Sequence, residues 1–155
     1  MYQHVMVPLD GSKLAECVLP HLKAIVKGCQ AKAVTFVRVL EPLMISSDDS
    51  GVALTEEQWQ ILTKQQRLDA DNYLGQVVSQ IDYHGTAVHS EVVNGSVAES
   101  LSDWAKKNNV DLIIVATHGR SGVSRWVWGS IADRILRSSC VPVFMVRAPG
   151  CVPGI

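Results

Sequence analysis

A doubly wound α/β fold built on one five-stranded parallel sheet is the architecture this chain predicts, and three observations carry it. Five short apolar runs alternate with four segments of helical periodicity along 155 residues, the order that generates a parallel sheet with helices on its faces. The run Leu112 to Ala116 is apolar without interruption, as a central strand covered on both sides must be. No repeat, linker or low-complexity tract breaks the pattern, so residues 1–155 read as one domain with a short C-terminal tail at 148–155. Right-handed crossovers leave few strand orders, and 3-2-1-4-5 is a natural one.

Each element has its own signature. Val5-Met6-Val7 reads as a buried strand ending at Pro8. Ser12 is placed to cap a helix whose apolar positions run from Leu14 through Val18 and Leu22 to Val26, with Pro20 expected to kink it or remove one bond. Ala33 to Leu40 is the second strand. Ser46 to Gly51 is polar and reads as a mobile loop. Glu56 to Ile81 then forms a long helix, with Trp59, Leu62, Leu68, Tyr73, Leu74, Val77 and Ile81 as candidate buried positions. Ala87 to Val93 alternates as a third strand, and Ser96 with Glu99 spells a capping box for a helix through Lys107. Ser130 with Asp133 resembles a second capping box, for a helix to Ser139. Val141 to Val146 is the last strand, and Pro142 near its start suggests a sheet edge.

Composition excludes several functions. Apolar residues are 47% of the chain, charged residues 19%, and the net charge is −1; with no basic run or interleaved aromatic stripe, a general nucleic-acid binder is not expected. No apolar stretch approaches the length of a membrane span, and Asp10 comes too early for a secretory leader. Cys17, Cys29, Cys140 and Cys151 lack metal-ligand spacing and read as thiols in a reducing cytosol, ahead of metal or disulfide roles. Charge is unevenly spread, however. Residues 41 to 71 hold seven acids against Lys64 and Arg67, whereas 116 to 137 hold four arginines against Asp133.

Ligands of doubly wound sheets bind where strand order reverses, at the carboxyl ends of the strands. In the order 3-2-1-4-5 that point lies between strands 1 and 4, which end in Pro8-Leu9-Asp10-Gly11-Ser12 and Ala116-Thr117-His118-Gly119. The second loop continues through Gly122 to Gly129-Ser130, a helix start. Glycines allow close backbone approach, and a helix N-terminus presents unpaired N–H groups, so strand, loop and helix together describe a cradle for an anion such as phosphate. Asp10 is either a ribose-hydroxyl acceptor or a turn residue. His118 can contact phosphate or be satisfied by nearby backbone; Arg120 and Arg125 can neutralise phosphate or be solvated. Capping and phosphate contact are compatible at Ser130. No nucleophile–base pair and no metal set is evident, so neither catalytic nor metal residues are assigned.

These segments resemble the universal stress protein family over nearly the whole chain. The family's nucleotide-binding members carry a glycine, two residues, a glycine, nine residues, then Gly-Ser or Gly-Thr. Here Ala116 stands at the first glycine, Gly119 at the second, and Gly129-Ser130 follow after nine residues. The opening V-P-L-D-G-S, R-V-L-E-P after strand 2, and the closing V-P-V-F-M-V-R are also similar. The resemblance implies an α/β sandwich of the adenine-nucleotide alpha-hydrolase-like kind that dimerises through its last strand, Val141 to Val146. It implies adenine and ribose contacts from Pro8, Leu9, Asp10 and the backbone of Val39, with Val115 and Ala116 lining the nucleotide. Phosphate contacts would come from Gly119, Gly129, Ser130 and Ile131, beside His118 and Arg120.

The resulting expectation is a cytoplasmic, homodimeric stress-response protein that binds ATP, with Mg2+ as an optional companion, as a regulatory or stabilising ligand. Two alternatives share the fold: a protein-interaction module without nucleotide, and a slow ATPase or nucleotidyl transferase.

Overall fold

The first strand, β1 (His4–Pro8), occupies the middle of the sheet, and its Val5, Met6 and Val7 are fully buried. The computed structural model describes residues 1–42, 55–83, 85–117 and 130–147. Around β1 the described elements are α1 (Leu19–Cys29), β2 (Ala33–Leu40), α2 (Glu56–Ser79), β3 (Ala87–Asn94), α3 (Val97–Lys107), β4 (Leu112–Ala116), α4 (Ser130–Ser138) and β5 (Val143–Val146). All pairings are parallel, and the strand order is β3-β2-β1-β4-β5, as the alternation of elements predicts. β1 pairs with β2 from His4 opposite Ala33 to Pro8 opposite Val37, and with β4 at Val5–Leu112 and Met6–Ile113.

Side chains of successive strand residues point to opposite faces, which divides the core into two layers. Val5, Val7, Phe36 and Ile114 pack with Leu22 and Val26 of α1 and Leu74 of α2. Met6, Val37 and Ile113 pack with Leu101 and Ala105 of α3 and Ala132 and Ile135 of α4. β4 is buried at all five positions, as its continuous apolar run requires. Asp111 clamps the starting ends of β1 and β4, its carboxylate accepting from Gln3 N at 2.7 Å and His4 N at 3.2 Å.

Several local expectations are revised. Pro20 does not kink a helix: a 3₁₀ turn at Ala15–Val18 precedes α1, and Pro20 falls in α1's first turn, where its missing N–H breaks no bond. Ser12 caps that turn instead, its Oγ accepting from Ala15 N at 3.1 Å. α2 opens on a Thr55–Gln58 capping box that the periodicity did not reveal. Its buried residues are only Ala70, Leu74 and Val77, whereas Leu62 and Leu68, expected inside, are 42% and 46% exposed. The first half of α2 therefore stands beyond the sheet. Ser96 is the N-cap of α3, but its Oγ donates to Glu99 Oε2 rather than accepting from the backbone. Bonds from Ser96, from its own backbone and from Arg134 hold the Glu99 carboxyl below its ordinary value. Asp133 Oδ2 accepts from Arg137 Nε at 2.8 Å; the Ser130 half of the second capping box lies outside the described side chains. β5 begins at Val143, later than Val141, and forms one edge of the sheet, with Phe144 exposed. The loop expected at 46–51 lies outside the described residues. Among the described residues no helix is long and apolar enough to cross a membrane.

The contrast within α2 is measurable. Leu74→Ala, at a fully buried site, is expected to lower unfolding free energy by about 2–5 kcal/mol in urea titration. Leu62→Ala, on the projecting half, should change it by no more than about 0.5 kcal/mol. Equal losses at the two positions would contradict the layer assignment.

Candidate functional site

β1 and β4 are neighbours whose chains leave toward different faces of the sheet, and a cavity of about 570 Å³ opens at their carboxyl ends. Ligand pockets run from roughly 300 to 1,000 Å³. Pro8, Leu9 and Asp10 enter it from the end of β1, Val39 from β2, Val115 and Ala116 from β4, and Ile131 from the first turn of α4. Seven residues singled out in the sequence thus share one cavity. Ser130, the first residue of α4, is joined to Ile131 at the same helix start. His118, Gly119, Arg120 and Gly129 lie outside the described residues.

The β1 loop is held against β2 because Leu9 N donates to Val37 O at 2.9 Å, one step past the strand. Asp10 then forms an Asx-type turn: Oδ1 accepts from Ser12 N at 2.9 Å and from Ser12 Oγ at 2.6 Å. Turn geometry and a place on the cavity wall therefore coexist in one residue. Gly11 follows with φ of 88°, in the left-handed region that favours glycine. A Cβ there would also meet the Arg38 guanidinium at 3.1 Å.

Sequence reasoning missed much of the cavity wall. Val37, Val97, Leu101, Ala132 and Ile135 give it an apolar side toward α3 and α4. Arg38, Glu41, Gln66 and Asp69 give it polar groups, with Thr117 at the end of β4. Arg38 had a visible signal, since it interrupts the apolar run Val34 to Leu40. Gln66 and Asp69 had none; only the packing of α2 brings them here. Arg38 lies over the Tyr73 ring, 5.4 Å from its centre, and the Tyr73 hydroxyl donates to Glu16 Oε1 at 3.2 Å. Burial, then the charge and hydrogen bond of Glu16, then the charge of Asp10 push the Tyr73 phenol well above its ordinary range, with Arg38 pulling the other way. Asp10, Arg38 and Tyr73 thus belong to one electrostatic group.

Of the four arginines counted near the glycine loop, Arg134 and Arg137 lie among the described residues. Arg134 pairs with Glu99 Oε1 at 2.6 Å and Arg137 with Asp133 at 2.8 Å, both on the helix surface. Neither lines the cavity among the described residues. The positive character facing the cavity from α4 is that of its N-terminal turn.

A family model described as the Universal stress protein family matches residues 1–147. The chain belongs to the universal stress protein family. It is similar to Universal stress protein MJ0577 of Methanocaldococcus jannaschii, with 26% identity over 156 residues, 95% of this chain and 96% of that protein. The solved structure of MJ0577 superposes with a TM-score of 0.83, covering 97% of this chain and 99% of that one. A universal stress protein solved in complex with cAMP shares the fold at 20% identity and TM-score 0.60, over 95% of this chain and 98% of that one. So does a family protein of Arabidopsis thaliana with AMP bound, at 13% identity and TM-score 0.66, over 96% and 93%. Membership in the universal stress protein family and the observed strand order agree with the expectations drawn from the residues.

Gly11 supplies the test of the β1 loop. Gly11→Ala combines a left-handed backbone with contact on Arg38, and a loss of about 1–2 kcal/mol is expected in thermal or urea unfolding. An unchanged stability would show that this turn is not held as described.

Proposed function

We propose that this universal stress protein binds an adenine nucleotide, ATP above all, alone or as its Mg2+ complex, as a regulatory or stabilising ligand. The observation that carries the reading is the convergence of Asp10, Val39, Val115, Ala116 and Ile131 on one cavity at the strand-order reversal. The chemistry of the wall fits the group. Val37, Val39, Leu101 and Val115 offer an apolar surface suited to a flat base, and Asp10 is a hydroxyl acceptor beside it. The start of α4 at Ser130 and Ile131 offers backbone N–H groups suited to a phosphate. Pro8 and Leu9 would frame the base and sugar, while Gly119, Gly129, His118 and Arg120, outside the described residues, would complete the phosphate loop. Ala116, standing at the first motif glycine, lines the same cavity. The AMP- and cAMP-bound relatives support adenine-nucleotide binding as the class of ligand.

The working unit in this reading is a cytoplasmic homodimer paired along β5, where an edge strand with exposed Phe144 leaves backbone groups available for a second copy. Stress response is the role the family name suggests, with the nucleotide shifting the protein's stability and thereby its readiness for a partner.

Linkage makes the reading quantitative. ATP at 100 times its dissociation constant is expected to stabilise the fold by about 2.7 kcal/mol, seen as a rise in melting temperature. Equilibrium dialysis after stripping should show saturable uptake, and Asp10→Ala should weaken it about tenfold or more. No uptake of any adenine nucleotide at millimolar concentration would remove the proposal in favour of a protein-interaction module.

A further inference from the structure

Among the described residues, the charges that line the cavity are unequal in number. Asp10, Glu41 and Asp69 line it, against Arg38 as the one cation among the described lining residues. Asp69 and Gln66 come from α2, one and two helical turns before Tyr73, and Tyr73 lies under Arg38. Asp69 accepts from Gln65 Nε2 at 2.8 Å, a bond that leaves its charge intact. The Arg38 guanidinium is packed between the Tyr73 ring and Gly11. A sugar whose hydroxyls reach Asp10 would therefore lie in a cavity whose wall carries two further carboxylates.

We infer that this cavity selects adenine nucleotides whose ribose hydroxyls are free, and rejects those carrying phosphate on the 3′ oxygen, with Asp69 and Glu41 as specificity-determining residues. The inference rests on the nucleotide reading above and sharpens it: 5′-AMP, ADP and ATP are ligands, whereas adenosine 3′,5′-bisphosphate and cAMP are disfavoured. The physics is like-charge repulsion across a partly open cavity. A 3′-phosphate brings negative charge into a cavity lined by three carboxylates, while a hydroxyl donates a hydrogen bond to one of them. Glu41 and Asp69 are exposed at the mouth, so part of the effect is screened by salt.

Adenosine 3′,5′-bisphosphate differs from 5′-AMP by the added phosphate alone, so the ratio of their affinities isolates the effect. By calorimetry at low salt, 5′-AMP should bind at least about tenfold more tightly than the bisphosphate or cAMP. Raising salt from about 0.05 to about 0.5 M should narrow the ratio to the bisphosphate, since charge repulsion is screened and a steric clash is not. Asp69→Asn and Glu41→Gln, both at exposed positions and checked for retained circular dichroism, should each narrow it about threefold or more. Equal affinities, tighter binding of the bisphosphate through Arg38, or a ratio indifferent to salt and to both substitutions would overturn the inference while leaving nucleotide binding in place. Failure of all three ligands to bind would overturn the nucleotide reading itself.

Discussion

β1 is hydrogen-bonded to β2 on one side and to β4 on the other, so the helices that return the chain along these two directions must cover opposite faces of the sheet. α1 and α2 lie over one face, α3 and α4 over the other. The chain leaving β1 and the chain leaving β4 therefore diverge, and nothing in the right-handed crossover geometry can close the gap between them. The cavity is a consequence of strand order. What evolution of the sequence decides is which side chains stand around it.

Strand periodicity makes that decision in a simple way. Phe36 and Leu40 of β2 face the α1/α2 layer, and Val37 and Val39 face the α3/α4 layer. Arg38 has the parity of Phe36 and meets Tyr73 on α2. The end of β2 thus contributes an apolar surface to one side of the cavity and a cation to the other, through residues adjacent in sequence. Asp10 joins the second group, and its charge is felt at Tyr73. A ligand spanning the cavity must be apolar at one end and able to donate hydrogen bonds at the other, which is a tighter specification than cavity volume alone provides.

How much of this was legible follows from how local each signal is. The strands, their order and the β1 loop could be read because apolar runs and Asp10-Gly11 each announce themselves within a few residues. α2 could be read as a helix, but not which half of it packs: Leu62 and Leu68 fit the period as well as Leu74 does, and only the length of the sheet beneath decides that Leu74 is covered. The same reason hides Gln66 and Asp69, which are ordinary polar helix residues until tertiary packing sets them at the cavity mouth. Pro20 was misread for a different cause. Its penalty depends on position within the helix, and the 3₁₀ turn before Leu19 moves the helix start to where proline is tolerated.

The asymmetry of charge along the chain gains a physical meaning once placed. Acids cluster between residues 41 and 71, and of these Glu41 and Asp69 stand at the cavity with Asp10. The arginines after residue 116 look like a matching positive surface, but Arg134 and Arg137 are engaged with Glu99 and Asp133 on the outside of α3 and α4. Exposed pairs of this kind contribute about 0–1 kcal/mol, so their main effect on the site is to direct two cations elsewhere. The field across the cavity then runs from carboxylates at the β1/α2 end to the N-terminal turn of α4 at the other. In the proposed nucleotide reading, a polyanion placed along that gradient would have one favourable direction, with its negative tail toward Ser130 and Ile131 and its sugar toward Asp10. In that reading, orientation would be set by the balance of fixed charge before any individual hydrogen bond to the ligand is made.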